Sequence, residues 1–388
     1  NDLGATVVRM DTRDYYLKIC ELFNKFRATA IAVARDNVDA VMSGYTHMQP
    51  SEPVTFGHWL SAVLNGLERD FHRFAAAWDS MNICPLGGCS MGSTSFPIDR
   101  QMTSDLLGFD RPMSNSMDTT ASRDYALEIA TTLAMAADTL SRFAFDLYIW
   151  ATPQYGYIEV DDSVAVCSSI MPQKKNAFTL EHIKAKAGHM QGYAMAMYSC
   201  MKNIIYSHSK DTSVEAVKHL RLAMQEMECD FVLAELTLRT LTVKRDVMLK
   251  DARRNFCTVT ELANYLVRHD KVSFREAHEI IATMVGNLCD RQLTGLDINR
   301  TAINEVMQKE FGKETSLTEE LIQEALDPMR IAQAKKCLGG TAREEVTRQL
   351  DALEKQLEAD EALTADRVAG LAAAKARLDA ATNSMITA

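Results

Sequence analysis

The stretch "CSSIMPQKKNAFTLEHIKAKAGHMQGYAMAM", Cys167 to Met197, decides how this chain is read. Its first ten residues crowd two serines, a proline, two lysines and an asparagine together, too polar for a core strand and too broken for a helix. The remainder sets Leu180, Ile183, Ala187, Met190, Ala194 and Met197 at alternating spacings of three and four. That is the stripe of a long helix packed nearly parallel to others. The same stripe recurs at Ile19, Phe23, Phe26, Ala30 and Val33, and around Leu133, Ala137 and Leu140. Long helices joined by a handful of polar loops predict an all-α fold built on an elongated bundle.

Composition agrees. The 388 residues, 47% hydrophobic, are ample for a large core, and 17 glycines with 8 prolines leave few helix breakers. Near residue 250 the texture shifts to shorter helices, with capping boxes expected at "SFRE" (Ser273–Glu276) and "SLTE" (Ser316–Glu319). The expected organisation is a central bundle domain over 1–250, carrying the polar loops, and a smaller carboxy-terminal helical domain over 251–388. Beyond Ala342, the stripe of Val346, Leu350, Leu353 and Leu357 lies among many charges. It predicts an amphipathic helix packed on the body or on a neighbour.

A formal net charge of -10, with acids and bases interspersed, argues against nucleic acid as a partner. No apolar run approaches the roughly 20 residues that span a bilayer, so no membrane is expected. Nine cysteines without CxxC spacing read as reduced cytosolic thiols, which implies a cytoplasmic protein. Nine histidines without HExxH spacing give no reason to expect a metal.

Three polar islands interrupt the helices. One is "SGYTHMQPSEPVTFGH" (Ser43–His58), expected as a loop between helices; another is "LGGCSMGSTSFPIDR" (Leu86–Arg100) with "NSMDTTASRDYALE" (Asn115–Glu128). The third is Cys167–Asn176, and it has a physical case of its own. Ser168, Ser169, Lys174, Lys175 and Asn176 supply donors just before a helix expected to start near Ala177, whose N-terminus adds partial positive charge. Such a loop is built to hold an anion, most simply a carboxylate. One serine in that field can act as a base, because several donors lower the cost of its charged form. Lys174 is expected to do this work and Lys175 to face solvent. Taken alone, His47 is a loop histidine, Arg123 and Asp124 an ion pair, and His208 either a pocket residue or polar surface.

Together the islands resemble the fumarase–aspartase superfamily, most closely its argininosuccinate lyase branch. "CSSIMPQKKN" is similar to the superfamily signature G-S-S-x-M-P-x-K-x-N, and "GYTHMQPSEPVTFGH" to the branch's G-Y-T-H-x-Q-P-A-x-P-x-T-F-G-H. "FPIDR" and "NSMDTTASRD" resemble its third block, and the opening "ND" the end of its S-R-N-D segment. The resemblance spans most of residues 1–290. It implies a small amino-terminal domain that would precede Asn1, and a homotetramer whose central domains form one multi-helix core. Each active site would be shared by three subunits.

The implied reaction is anti elimination of fumarate from an N-substituted aspartate, with no cofactor. By resemblance Ser168 is the base, while His47 is an acid partner oriented by Glu181. Ser169, Lys174 and Asn176 bind the carboxylate that gathers charge, Asn1 and Thr46 hold the succinyl group, Met171 shapes the loop against the substrate, and Gln49 also binds it. His208 lies toward the amine.

Departures from the branch are informative. Cys167 replaces the loop's glycine, and Ala177 the proline after the asparagine. Downstream, "IIYSHSKDTSVEAVK" stands where the branch usually reads A-Y-N-K-D-M-Q-E-D-K. Aligning Lys210 and Asp211 on the shared K-D puts His208, Ser213 and Ala216 at the tyrosine, glutamine and lysine that hold the arginine-bearing part. The fumarate end is kept and the guanidino end is not. The expected substrate is therefore an aminopolycarboxylate, ethylenediamine-N,N'-disuccinate, with argininosuccinate as the alternative.

Overall fold

The computed structural model describes residues 1–387 and contains fourteen helices among them. α1 (Asp2–Asp36) leads into a hairpin of β1 (Val41–Thr46) and β2 (Gln49–Thr55), then α2 (Phe56–Met81). Two short helices, α3 (Arg100–Leu107) and α4 (Asp118–Ala121), precede α5 (Asp124–Trp150), α6 (Phe178–Met201) and α7 (Leu220–Thr240). The five long helices α1, α2, α5, α6 and α7 make the bundle. The stripe residues Leu180, Ile183, Ala187, Met190, Ala194 and Met197 are all buried in it, as are Ile19, Phe23, Phe26 and Ala30. Phe23 shows why the packing is tight. Its ring stacks on Phe231 at 4.4 Å and meets Phe71 and Phe74 edge-on at 5.5 and 5.3 Å, locking α1, α2 and α7 together.

Six shorter helices follow: α8 (Arg245–Arg254), α9 (Val259–Asp270), α10 (Phe274–Asp290), α11 (Arg300–Phe311), α12 (Glu319–Ala325) and α13 (Pro328–Ala334). Buried apolar residues between Leu262 and Leu326 form a second core separate from the bundle's. The last helix, α14 (Arg343–Thr387), returns to the bundle. Val346, Leu350, Leu353 and Leu357 join the first core, and a buried ion pair of 2.7 Å ties Arg27 of α1 to Asp360. The stripe beyond Ala342 thus packs on the body. Among the described residues no helix is long and apolar enough to cross a membrane.

Two local expectations need correction. "SFRE" does form a capping box at the start of α10, but "SLTE" does not form one. Ser316 instead donates to Asp270, and Thr318 caps α12 by accepting from the Leu321 N–H. The island Ser43–His58 is a β-hairpin running into α2 rather than a loop. Its prolines sit on β2, with Pro50 opposite Tyr45 and Pro53 opposite Ser43. A two-stranded ribbon is all edge, so their missing N–H groups cost the ladder little. The register slips at Gly44, where a Cβ would lie 2.9 Å from the Glu52 carbonyl oxygen.

Candidate active site

The signature segment is itself a small hairpin. Val166 and Cys167 pair antiparallel with Asn176 and Lys175, and the Ser168 N–H donates to the Lys174 carbonyl at 3.1 Å. That leaves the tip, Ser169 to Lys174, projecting into solvent at the head of α6. The Ser168 hydroxyl oxygen accepts from two backbone N–H groups, Ile170 at 3.3 Å and Met171 at 3.1 Å. Two such donors are what a serine needs to carry negative charge.

The two lysines separate as their neighbours dictate. Lys175 reaches Asp162 at 2.7 Å and Glu159 at 3.3 Å, so it is half-buried and ion-paired rather than free in solvent as the sequence predicts. Asp162 and Glu159 together push its ammonium pKa up. Lys174 is exposed and makes no side-chain hydrogen bond or ion pair among the described residues. Asn176 commits an amide hydrogen to the Val166 carbonyl at 2.9 Å, closing the hairpin base. Beside the loop lies a cleft of about 610 Å³, lined by Tyr148, Thr152, Glu159, Lys174, Glu181 and Lys244 among others. Glu159 and Asp162 are residues that the sequence reading passed over. Their signal was the acidic run "EVDD" ahead of a basic loop.

His47 and Met48 form the turn of the first hairpin, with φ of 52° and 60°. Positive φ at both central residues is the type I′ geometry that suits a twisted ribbon. Thr46, His47 and Gln49 are exposed at this tip. Behind it, the Tyr45 hydroxyl lies 3.3 Å from that of Tyr157 and 3.4 Å from Asp251, and Asn255 bonds Ser43 at 2.7 Å. These bonds fix the hairpin to α8. Glu181, on the first turn of α6, accepts from the Tyr148 hydroxyl at 3.0 Å. Within one chain it does not contact His47.

Asn1 lies elsewhere. Its side-chain amide donates to the Ser90 carbonyl at 3.1 Å, and the Asp2 carboxylate accepts from the Gly87 and Cys89 N–H groups at 2.9 and 2.7 Å. The segment after α6 closes on the same region, because the Tyr206 hydroxyl donates to Asp118 at 2.7 Å. Asn1, the third block and His208 therefore gather at the far end of α6 from the signature loop. Twenty-four residues of helix separate the two ends, roughly 36 Å at 1.5 Å per residue. The structure brings Ser168, Ser169, Met171, Lys174, Asn176 and Glu181 together at one end, and Asn1 with His208 at the other. The His47 hairpin stands on the Ser168 side, where Tyr45 packs against Tyr155.

Known proteins share this sequence and fold. Residues 1–192 match the family described as lyase, and residues 256–333 the argininosuccinate lyase C-terminal family. Argininosuccinate lyase 1 of Shouchella clausii (strain KSM-K16) is 48% identical over 360 residues, covering 93% of this chain and 72% of that protein. Argininosuccinate lyase of Acetivibrio thermocellus is 34% identical over 346 residues, covering 89% and 73%. The crystal structure of EDDS lyase in complex with formate matches with a TM-score of 0.94 at 30% identity, over 100% of this chain and 77% of that one. The chain belongs to the argininosuccinate lyase branch of the fumarase–aspartase superfamily. Its chemistry is accordingly that of a carbon–nitrogen lyase that releases fumarate.

Proposed function

We propose that the chain performs anti elimination on an N-substituted aspartate, with Ser168 as the base. The observation that carries this is the Ser168 oxygen, held by two backbone N–H groups beside the unpaired Lys174. Ser168 takes the proton next to one carboxylate, and the electron pair moves into that carboxylate as a dianion. Ser169, Lys174 and Asn176 stabilise it where the charge grows, with Met171 shaping the loop. The C–N bond then breaks to give fumarate, and the amine takes a proton from the side of His47 and Glu181. Base, acid and carboxylate clamps suffice, so no cofactor enters.

Asn1, Thr46 and Gln49 hold the succinyl group. The length of α6, roughly 36 Å, between the end near Asn1 and the end that carries Ser168 supports a homotetramer in which three subunits contribute to each site. In that assembly, bundle residues 1–250 would supply the motifs and, of residues 251–388, those before α14 the smaller helical part, with α14 packed on the bundle, in the cytoplasm.

The amine end supports ethylenediamine-N,N'-disuccinate as substrate, cleaved to N-(2-aminoethyl)aspartate and then ethylenediamine. Ala216 is buried at 1% exposure and offers nothing polar to a guanidino group. A site that lacks a substrate's polar partners discriminates strongly against it. Argininosuccinate is the second reading, favoured by the 48% identity to Shouchella clausii argininosuccinate lyase 1. Supplying each substrate separately and following fumarate by its ultraviolet absorbance decides between them. Release from the disuccinate is the expected result; release from argininosuccinate alone would overturn the first reading.

A further inference from the structure

A short ribbon behind the signature hairpin carries groups that the proposed chemistry leaves unused. Ile158 and Glu159 pair antiparallel with Val243 and Thr242, and the Lys244 N–H donates to the Tyr157 carbonyl at 2.8 Å. The root of this ribbon is fixed. Tyr157 is fully buried, with its ring against Trp150 and Tyr155 and its hydroxyl donating to Asp251. Two residues along, Glu159 meets two ammonium groups at once. One carboxylate oxygen lies 2.7 Å from Lys244 Nζ and the other 3.3 Å from Lys175 Nζ. Asp162 takes Lys175 from a second side at 2.7 Å. Two carboxylates thus face two ammonium groups, and neighbouring Asp161 is engaged by the Ser163 N–H and hydroxyl. Lys244 foremost, and then Lys175, hold the Glu159 carboxyl below its ordinary range. Lys175 in turn sits in the ladder of the signature hairpin, opposite Cys167 and between Lys174 and Asn176. Among the described residues, it makes the only side-chain hydrogen bonds and ion pairs that tie this hairpin to another part of the chain.

We propose that Glu159, held by Lys244, is a positioning residue that sets the signature hairpin through Lys175. The inference rests on the fumarate-releasing reading and adds to it what keeps Ser168 and Lys174 in place. An isolated two-stranded hairpin is marginally stable at best in water, so its stance at the head of α6 depends on what grips its base. Here the grip combines a buried root at Tyr157 with a charged end at Glu159. Glu159, Lys175 and Lys244 line the same cleft of about 610 Å³ as Lys174 and Glu181, so a shift at the grip moves groups that face the substrate. The ion pairs are partly exposed, which makes each one weak; their effect lies in geometry more than in stability.

The test follows fumarate release and hairpin order side by side in the full chain. It compares wild type with Glu159→Gln, Lys244→Met, Lys175→Met and the double variant Glu159→Gln/Lys175→Met. In each single variant kcat falls about threefold, the scale of one partly exposed ion pair, while KM stays put. Because Glu159 acts through Lys175, the double variant falls no further than Lys175→Met alone. Lys175→Arg, which keeps the charge, retains most of the wild-type kcat. Unchanged kcat in the single variants, or losses that multiply in the double variant, would overturn the proposal. So would a KM that rises while kcat holds, since Glu159 would then act on the substrate itself. Amide hydrogen exchange reads the same grip without any substrate. The Ser168 N–H, bonded to the Lys174 carbonyl at 3.1 Å, exchanges about threefold faster in Glu159→Gln and in Lys175→Met. Equal exchange in wild type and both variants overturns the proposal. If wild type releases fumarate from neither the disuccinate nor argininosuccinate, the substrate reading fails by itself, and the exchange rates decide the positioning.

Discussion

At the Phe178 end of α6 the polar side chains stand open: Lys174 is unpaired, and Ser169 and Met171 are exposed on a hairpin tip. At the Met201 end the chain bonds to itself, with Asp2 clasping the Gly87–Cys89 backbone and Tyr206 pinned to Asp118. One helix thus joins a loop built to close over something with a platform already set. Preorganised donors serve recognition, because their ordering cost is met on folding; an open loop serves chemistry that must exclude water once the substrate is in place. Changes at the first end should therefore alter rate, and changes at the second should alter substrate binding and stability.

The sharpest break of that contrast is Ser168→Ala. Fumarate release should fall about a thousandfold, the scale of losing a general base, while the thermal midpoint stays put. A lowered midpoint would make the loop structural after all.

Between the ends lies Asp230 of α7, fully buried, with neither carboxylate oxygen bonded. Burial pushes its pKa up to about 8, against the opposing charge of Lys186. Because the folded value exceeds the unfolded one, folding takes up a proton between about pH 4 and pH 8, and stability falls as pH rises through that window. Asp230→Asn should flatten that decline in denaturant titrations across the window. A decline that persists in the variant would place the titrating group elsewhere.

Smaller still, Asp2→Ala should cost about 2 kcal/mol of stability, the worth of bonds to a charged acceptor, read as a shifted denaturant midpoint. Lys175→Met should cost less than about 1 kcal/mol, since its pairs with Asp162 and Glu159 are largely exposed. An effect larger than that of Asp2→Ala would invert the comparison.

Much of this was legible in the sequence because periodicity reports burial directly. Leu180 to Met197 formed the helix face their spacing predicts, and the Val346–Leu357 stripe found the core. What escaped was chemistry that depends on partners distant along the chain. Nothing local to "MPQKKN" says that Lys175, rather than Lys174, meets Glu159 and Asp162. Nothing in "SLTE" says that Asp270 claims Ser316. The His47 hairpin was hidden by its prolines, which argue against a central strand but leave an edge ribbon open. The expected pairing of His47 with Glu181 is not made within one chain, where Tyr148 takes the glutamate.

The return of α14 to α1 has a consequence in time. Arg27 and Asp360 are 333 residues apart in the chain, and Arg35 waits nearly as long for Asp351 and Glu354. A ribosome adding 5–20 residues per second would need roughly 20–70 s between making one partner and the other. Through that interval the groove of α1 and α2 that α14 fills stays uncovered, apolar and exposed to other nascent chains. The production of this protein should depend on temperature and chaperone supply more steeply than its finished stability suggests.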